Sequence, residues 1–223
     1  NVLVTKTLTL SEVSAEDEAM ITAAAGPGAV VTIVDSPKEG VKYAADADVI
    51  LGITPKWLFE AAPNLKWVHA TASGVDMFMY EDFINSDVTL TGEKGLVGGH
   101  LADTAFGLLL ALTRRIKTAI ELGPEGWTLD NREMMRFSEI ELEGLTMGIV
   151  GFGGTGRHLA RRAVAFGMNV RAIDAFPVPP SDGVTEVEGM EALGDLVEVS
   201  DVLAVGLPLT EETRAMCDYE FFR

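Results

Sequence analysis

Gly151-Phe152-Gly153-Gly154-Thr155-Gly156 forms a G-x-G-x-x-G at the join of an apolar run and an amphipathic run. Glycines at this spacing suit phosphate chemistry. The first turns the chain tightly, the second lets backbone approach a pyrophosphate, and the third lets the next helix pack close on the strand before it. A helix that begins there without a capping side chain leaves N–H groups for the phosphates. Asp174 follows 18 residues past Gly156, the range in which an acid meets the ribose hydroxyls of an adenosine. The chemistry implied is the holding of a dinucleotide. The hexapeptide alone is a weak signal, since a chain with 23 glycines also makes turns that are only structural.

The flanks strengthen it. Leu145 to Val150 is short, apolar and partly β-branched, as a strand buried on both faces should be. Leu159, Ala160, Ala163, Val164 and Phe166 recur at helical spacing, with Arg157, Arg161 and Arg162 on the other face. Asn169 to Ile173 reads as a second strand, with Asp174 at its end. A second candidate site is the loop Thr71-Ala72-Ser73-Gly74-Val75-Asp76, which follows a strand at Lys66 to Ala70. Ligands of open parallel sheets sit at that carboxyl edge, and small residues there free backbone N–H groups for an anion. The same residues also suit an ordinary strand-to-helix turn.

Elements must position these residues, and their order is α/β. Strands are expected at Val2 to Thr5, Val30 to Val34, Asp48 to Gly52, Lys66 to Ala70 and Val88 to Thr91. Helices are expected from a cap at Ser14 to Ala25, over Lys38 to Asp46, and over Pro55 to Ala62 with proline at the first helical position. Strands alternating with helices make a doubly wound parallel sheet. Gly95 to Gly99 is the best boundary, giving domains 1–98 and 99–223. His100 to Leu122 reads as one long helix, with Leu101, Phe106, Leu108, Leu109, Leu112 and Ile116 on its apolar sides. It is apolar on so many faces that it predicts a homodimer interface. Beyond Asp174, prolines mark a loop, Met190 to Val199 a helix, and Asp201 to Leu207 a buried strand. The sequence stops at Phe222-Arg223.

Composition excludes several classes. A formal net charge of −17 opposes nucleic-acid binding, which needs a basic stripe, and its spread along the chain predicts a solvated acidic surface. The single cysteine, Cys217, leaves no internal disulfide framework or cysteine zinc cluster and suits a reducing, cytoplasmic compartment. Ala105 to Leu112 is the most apolar stretch and is too short to span a bilayer.

In this order of elements the chain resembles the D-isomer-specific 2-hydroxyacid dehydrogenases. Four places carry the resemblance: Ala72 to Asp76, Gly144 to Gly153, Ala163 to Met168 with Asp174, and Ser200 to Thr210 with Thr213. It implies a flavodoxin-like substrate domain, a Rossmann nucleotide domain, and an active site in the cleft between them. It implies NAD as cofactor and hydride exchange with a small 2-oxo or 2-hydroxy acid. Amides of Ser73, Gly74 and Val75 would hold the substrate carboxylate. Gly151, Gly153, Gly154, Thr155, Gly156, Asp174, Leu207, Pro208 and Thr213 would bind the cofactor, and Leu101 and Ser73 would lie near the nicotinamide.

The chain departs from that pattern in two ways. Gly154 stands where many members have arginine, which removes one possible charge on the pyrophosphate. The family's arginine, acid and histidine all come later than Arg223, so no residue of this sequence is assigned a catalytic role. The expectation is an incomplete chain, with the later strands of the nucleotide domain and the returning segment of the first domain absent. If the polypeptide ends at Arg223, weak NAD binding and no hydride transfer are expected. The alternative function is a non-catalytic dinucleotide-sensing or partner-binding protein on the same fold.

Other candidates read as structural. His100 and Asp103 are three apart on a helix, yet a capping histidine is the simpler reading than a base with its orienting acid. His158 suits a surface role and His69 a sheet position. Trp57, Trp67 and Trp127 read as packing residues, and Cys217 has no neighbouring base to activate it.

Overall fold

A computed structural model of the protein describes residues 1–219 and 221. Phe222 and Arg223, at which the sequence reading stops, lie outside the described residues. The chain divides into two compact units, Asn1–Lys94 with the segment from Pro208, and Gly95–Leu207.

The first unit holds five parallel strands: β1 (Val2–Thr5), β2 (Val31–Val34), β3 (Val49–Leu51), β4 (Trp67–Ala70) and β5 (Thr89–Gly92). Their order is β2-β1-β3-β4-β5, the flavodoxin-like winding. Four helices connect them: α1 (Ala15–Ala25), α2 (Pro37–Gly40), α3 (Lys56–Glu60) and α4 (Glu81–Ile84). Ser14 caps α1 reciprocally. Its hydroxyl accepts from the Asp17 amide at 3.1 Å, and the Asp17 carboxylate accepts from the Ser14 amide at 2.9 Å. One sheet face packs Leu3, Ile50, Val68 and Ala70 against Leu58, Phe78 and Phe83, and this is the core of the unit. The helix expected over Lys38 to Asp46 is two short pieces, α2 and a 3-10 turn at Ala44–Asp46. Pro55 precedes α3 as its cap rather than opening it.

The second unit holds β6 (Thr146–Val150), β7 (Asn169–Ile173), β8 (Val187–Glu188) and β9 (Val202–Val205). All pair in parallel in the order β8-β7-β6-β9. Counted along the chain this is 3-2-1-4, the order in which a Rossmann sheet begins. Its helices are α5 (Gly98–Thr113), α6 (Ile116–Leu122), α7 (Leu129–Ser138), α8 (Gly154–Ala165) and α9 (Leu193–Val199). Met147, Ile149, Phe152, Leu159, Ala160 and Ala163 form its core with Ala102 and Phe106 of α5. The two-residue strand β8 was not foreseen. An ion pair of 2.6 Å between Arg171 and Glu188 joins it to β7.

The single helix expected over His100 to Leu122 is broken after Thr113, and Arg115 takes a left-handed conformation with φ of 53°. Tertiary bonds stop it. The Ile140 amide donates to the Thr113 carbonyl at 2.9 Å, Arg115 Nε donates to the Ser138 carbonyl at 2.8 Å, and Arg114 pairs with Glu139 at 2.6 Å. The segment after α7 therefore takes the helix end that periodicity would have continued. The expected boundary at 98/99 falls inside the first turn of α5, whereas the division lies before Gly95, which has φ of 90°. The segment from Pro208 clusters with the first unit and not with the second. Among the described residues, no helix is long and apolar enough to cross a membrane.

Candidate functional site

The site is built at the carboxyl end of β6, the strand flanked by β7 and β9. Gly151 leaves it with φ of 95°, and an added Cβ would lie 2.9 Å from the Gly206 carbonyl oxygen, so both its conformation and its neighbour require glycine. A Cβ on Gly156 would collide with the Gly151 carbonyl, which lets α8 sit directly on the strand end. Gly153 differs from both. It has an ordinary φ of −77°, and an added Cβ would meet nothing within 4 Å. Open space beyond a backbone that has no internal need for glycine is the cradle expected for a ligand.

Gly153 caps α8 with no side-chain bond. The amides of Gly153, Gly154, Thr155 and Gly156 find no acceptor among the described residues, and the first helical bond runs from Arg157 to the Gly153 carbonyl at 3.0 Å. Four adjacent donors at a helix start carry the positive end of its dipole and suit a phosphate. Gly154 has a further, structural reason to be glycine. An added Cβ there would lie 2.6 Å from Gly95 Cα, so this position serves close packing of Gly95 on α8 and has no room for an arginine side chain.

Asp174 stands at the end of β7. One carboxylate oxygen accepts from the Phe152 amide at 2.7 Å and the other from the Phe176 amide at 3.0 Å. Each oxygen keeps a lone pair for a further donor, such as a hydroxyl. Leu207 follows β9 in the same unit, and its side chain lies 3.1 Å from the position of a Cβ on Gly151. Pro208 and Thr213 belong to the other unit and form a closed turn, with the Thr213 hydroxyl donating to the Pro208 carbonyl at 2.6 Å.

Sequence reasoning missed the contacts that fix the loop after β7. The Arg157 guanidinium lies over the Phe152 ring, 4.8 Å from its centroid, and donates to the Pro179 carbonyl at 2.9 Å and to the Ser181 hydroxyl. Ser181 donates to Asp182 at 2.8 Å, and Arg161 donates to the same carboxylate at 2.6 and 2.9 Å. Those contacts, Arg161 first, hold the Asp182 carboxyl below the usual range. The signal available was an Asp-Gly pair, Asp182-Gly183, opposite a run of arginines one helical face wide.

In the first unit, Ser73, Gly74 and Val75 follow β4 and are exposed. Their amides also have no acceptor among the described residues, while the Val75 carbonyl accepts from Phe78 at 2.9 Å. The His100–Asp103 pairing is not made, because Asp103 accepts from Arg162 at 2.8 Å. His158 packs beside Gly98 of α5. His69 Nδ1 is 2.8 Å from the Thr91 hydroxyl, which also accepts from Trp67 Nε1 at 2.8 Å. Among the described residues no cluster of histidine, cysteine and carboxylate side chains could hold a metal ion.

Comparison with known proteins follows this geometry. Residues 106–223 match the model of the D-isomer specific 2-hydroxyacid dehydrogenase, NAD binding domain, family. A glyoxylate reductase of Korarchaeum cryptofilum is 35% identical over 167 residues, covering 74% of this chain and 50% of that protein. A hydroxypyruvate reductase of Thermotoga maritima is 33% identical over 164 residues, covering 73% and 51%. The chain thus spans about half the length of the curated relatives it matches. A solved D-isomer specific 2-hydroxyacid dehydrogenase family protein of Aeromonas salmonicida superposes with a TM-score of 0.79 at 25% identity, over 99% of this chain and 68% of that one. A D-lactate dehydrogenase of Aquifex aeolicus, solved with NAD and lactic acid, gives 0.73 at 24% identity over 99% and 65%, a likeness of fold.

Proposed function

Because the chain belongs to the D-isomer specific 2-hydroxyacid dehydrogenase family, we propose that it binds NAD(H) on the Gly151–Gly156 turn and serves the interconversion of a small 2-oxo acid and its 2-hydroxy acid. In this reading the amides of Gly153, Gly154, Thr155 and Gly156 hold the pyrophosphate, and Gly151 shapes the turn. Asp174 accepts from the adenosine ribose hydroxyls. Leu207, which follows β9, lines the adenine side. The free amides of Ser73, Gly74 and Val75 hold the substrate carboxylate. The unit containing β6 to β9 is the coenzyme domain, and the unit containing β1 to β5 is the substrate domain. NAD(H), when bound, supplies or accepts the hydride.

The observation that carries this reading is the set of four adjacent unbonded amides, with open space beside Gly153. Calorimetric titration with NADH tests it. Saturable binding displaced by ADP-ribose supports the reading, and no heat at millimolar NADH contradicts it. The relatives named above make glyoxylate and hydroxypyruvate the first oxidants to assay with bound NADH.

A homodimer through α5 and α6 fits the exposure of Leu101, Leu108 and Leu112, which are 51%, 63% and 73% accessible along one stripe of α5. The opposite stripe, Ala102 and Phe106, is already buried in the unit's own core. A second apolar stripe on one helix calls for a second partner. The lone Cys217 and the absence of a disulfide suit a cytoplasmic setting.

A further inference from the structure

The loop 175–182 after β7 lies next to Asp174, with Val178 packed on the core of the unit and side-chain hydrogen bonds from α8. Arg157 provides two of those hydrogen bonds. It is the first residue of α8 to make a helical hydrogen bond, so its position is fixed by the glycine turn itself. Its guanidinium stacks on Phe152, the residue whose amide donates to Asp174. From there it donates to Pro179 and Ser181, four and two residues apart from the far end of the loop's neighbour Gly183. Asp182, with φ of 56°, is then fixed by Arg161 and Ser181. The near end of the loop is tied through Phe176 to Asp174.

These contacts make one connected unit of turn, acid and loop. An unanchored loop of this length would have to be ordered when the ligand binds, at about 1 kcal/mol or more per residue fixed. Anchoring it in the free protein removes that cost from binding.

Resting on the NAD(H) reading above, we propose that Arg157 is a positioning residue for the adenosine end of the dinucleotide: it holds loop 175–182 so that Asp174 meets the ribose in a preset orientation. Arg157 touches neither the reacting atoms nor the nicotinamide in this role. A lysine cannot replace it, because a point-charge ammonium does not stack flat on a ring while donating to two separate acceptors.

The test compares the 223-residue protein with Arg157→Ala, Arg157→Lys and Ser181→Ala. NADH affinity is read by fluorescence, and AMP and nicotinamide mononucleotide are followed by amide NMR. Arg157→Ala should weaken NADH by about tenfold, the scale of a lost charge-assisted hydrogen bond. It should remove AMP-induced shifts at Phe176 while leaving mononucleotide-induced shifts at Gly153 to Gly156. Arg157→Lys should remain weak, and Ser181→Ala should show the same selective loss in smaller measure. Equal NADH affinity for parent and Arg157→Ala overturns the proposal, as does equal loss of AMP and mononucleotide shifts. If Arg157→Ala does not fold, Ser181→Ala decides by the same readouts. A parent that binds no NADH overturns the NAD(H) reading and this inference together.

Discussion

The carboxylate of Asp174 accepts a hydrogen bond of 2.7 Å from the backbone amide of Phe152, inside the glycine turn. The acid at the end of β7 and the glycine turn at the end of β6 are therefore joined directly, through a main-chain donor. That junction makes the proposed coenzyme site a preformed feature of the fold, and the following expectations start from it.

Asp174 should set coenzyme choice. A carboxylate that accepts from ribose hydroxyls repels a 2′-phosphate, so NADH should bind more tightly than NADPH by more than about tenfold. Asp174→Ala should narrow the ratio, mainly by improving NADPH. It should also lower stability by about 1 kcal/mol, because the Phe152 and Phe176 amides lose their acceptor. Competitive titration of the two coenzymes measures the ratio, and equal affinities in the parent would contradict the assignment.

The glycines of the turn should fail differently. Gly156→Ala puts a Cβ against the Gly151 carbonyl, a backbone clash costing about 1–3 kcal/mol. Gly153→Ala meets no protein atom within 4 Å at an ordinary φ, so its melting temperature should match the parent. Its NADH affinity should nonetheless fall by about tenfold or more, because the added methyl enters the space kept for the pyrophosphate. Thermal melts paired with NADH titration separate the two, and normal NADH binding by Gly153→Ala would count against the cradle.

Acid should loosen the loop after β7. The Asp182 carboxyl titrates below its ordinary value of 3.8, held there first by Arg161 and then by Ser181. A depressed carboxyl stabilises the fold above the unfolded value, and that contribution disappears as pH falls through the lower, folded one. Asp182→Asn should therefore melt below the parent at pH 7, and the gap should close as pH drops beneath about 3.8. A gap that persists undiminished at lower pH would mean that the pairing is not what stabilises the loop.

The exposed stripe of α5 should mediate self-association. Leu108→Glu with Leu112→Glu places charge on two of its most exposed leucines and leaves the buried Ala102 and Phe106 side untouched. Light scattering should report a dimer for the parent and a monomer for the double variant, with an unchanged melting transition within the unit. A monomeric parent at micromolar concentration would remove the dimer proposal.

Much of this is legible in the sequence, because the signals are local. The first five strands and the glycine turn announce themselves through apolar runs and turn residues. Ser14 with Asp17 signals a helix start for the same reason. The misses were tertiary. Nothing in the periodicity of His100 to Leu122 reveals that Ile140 will take the carbonyl of Thr113 and end the helix there. The close packing of Gly154 on Gly95 was not legible, because the two lie far apart in sequence. Arg157 was assigned only to a polar helix face, since a stacking partner at Phe152 and acceptors at Pro179 and Ser181 emerge only once β7 and its loop fold back.

The most direct test of the dinucleotide site is a pair of amide NMR spectra of the 15N-labelled protein, with and without NAD. The site described here predicts that the largest shifts fall on the amides of Gly153, Gly154, Thr155 and Gly156, with smaller ones at Phe152 and Phe176 beside Asp174. Saturable shifts elsewhere, with those four amides unmoved, would contradict it.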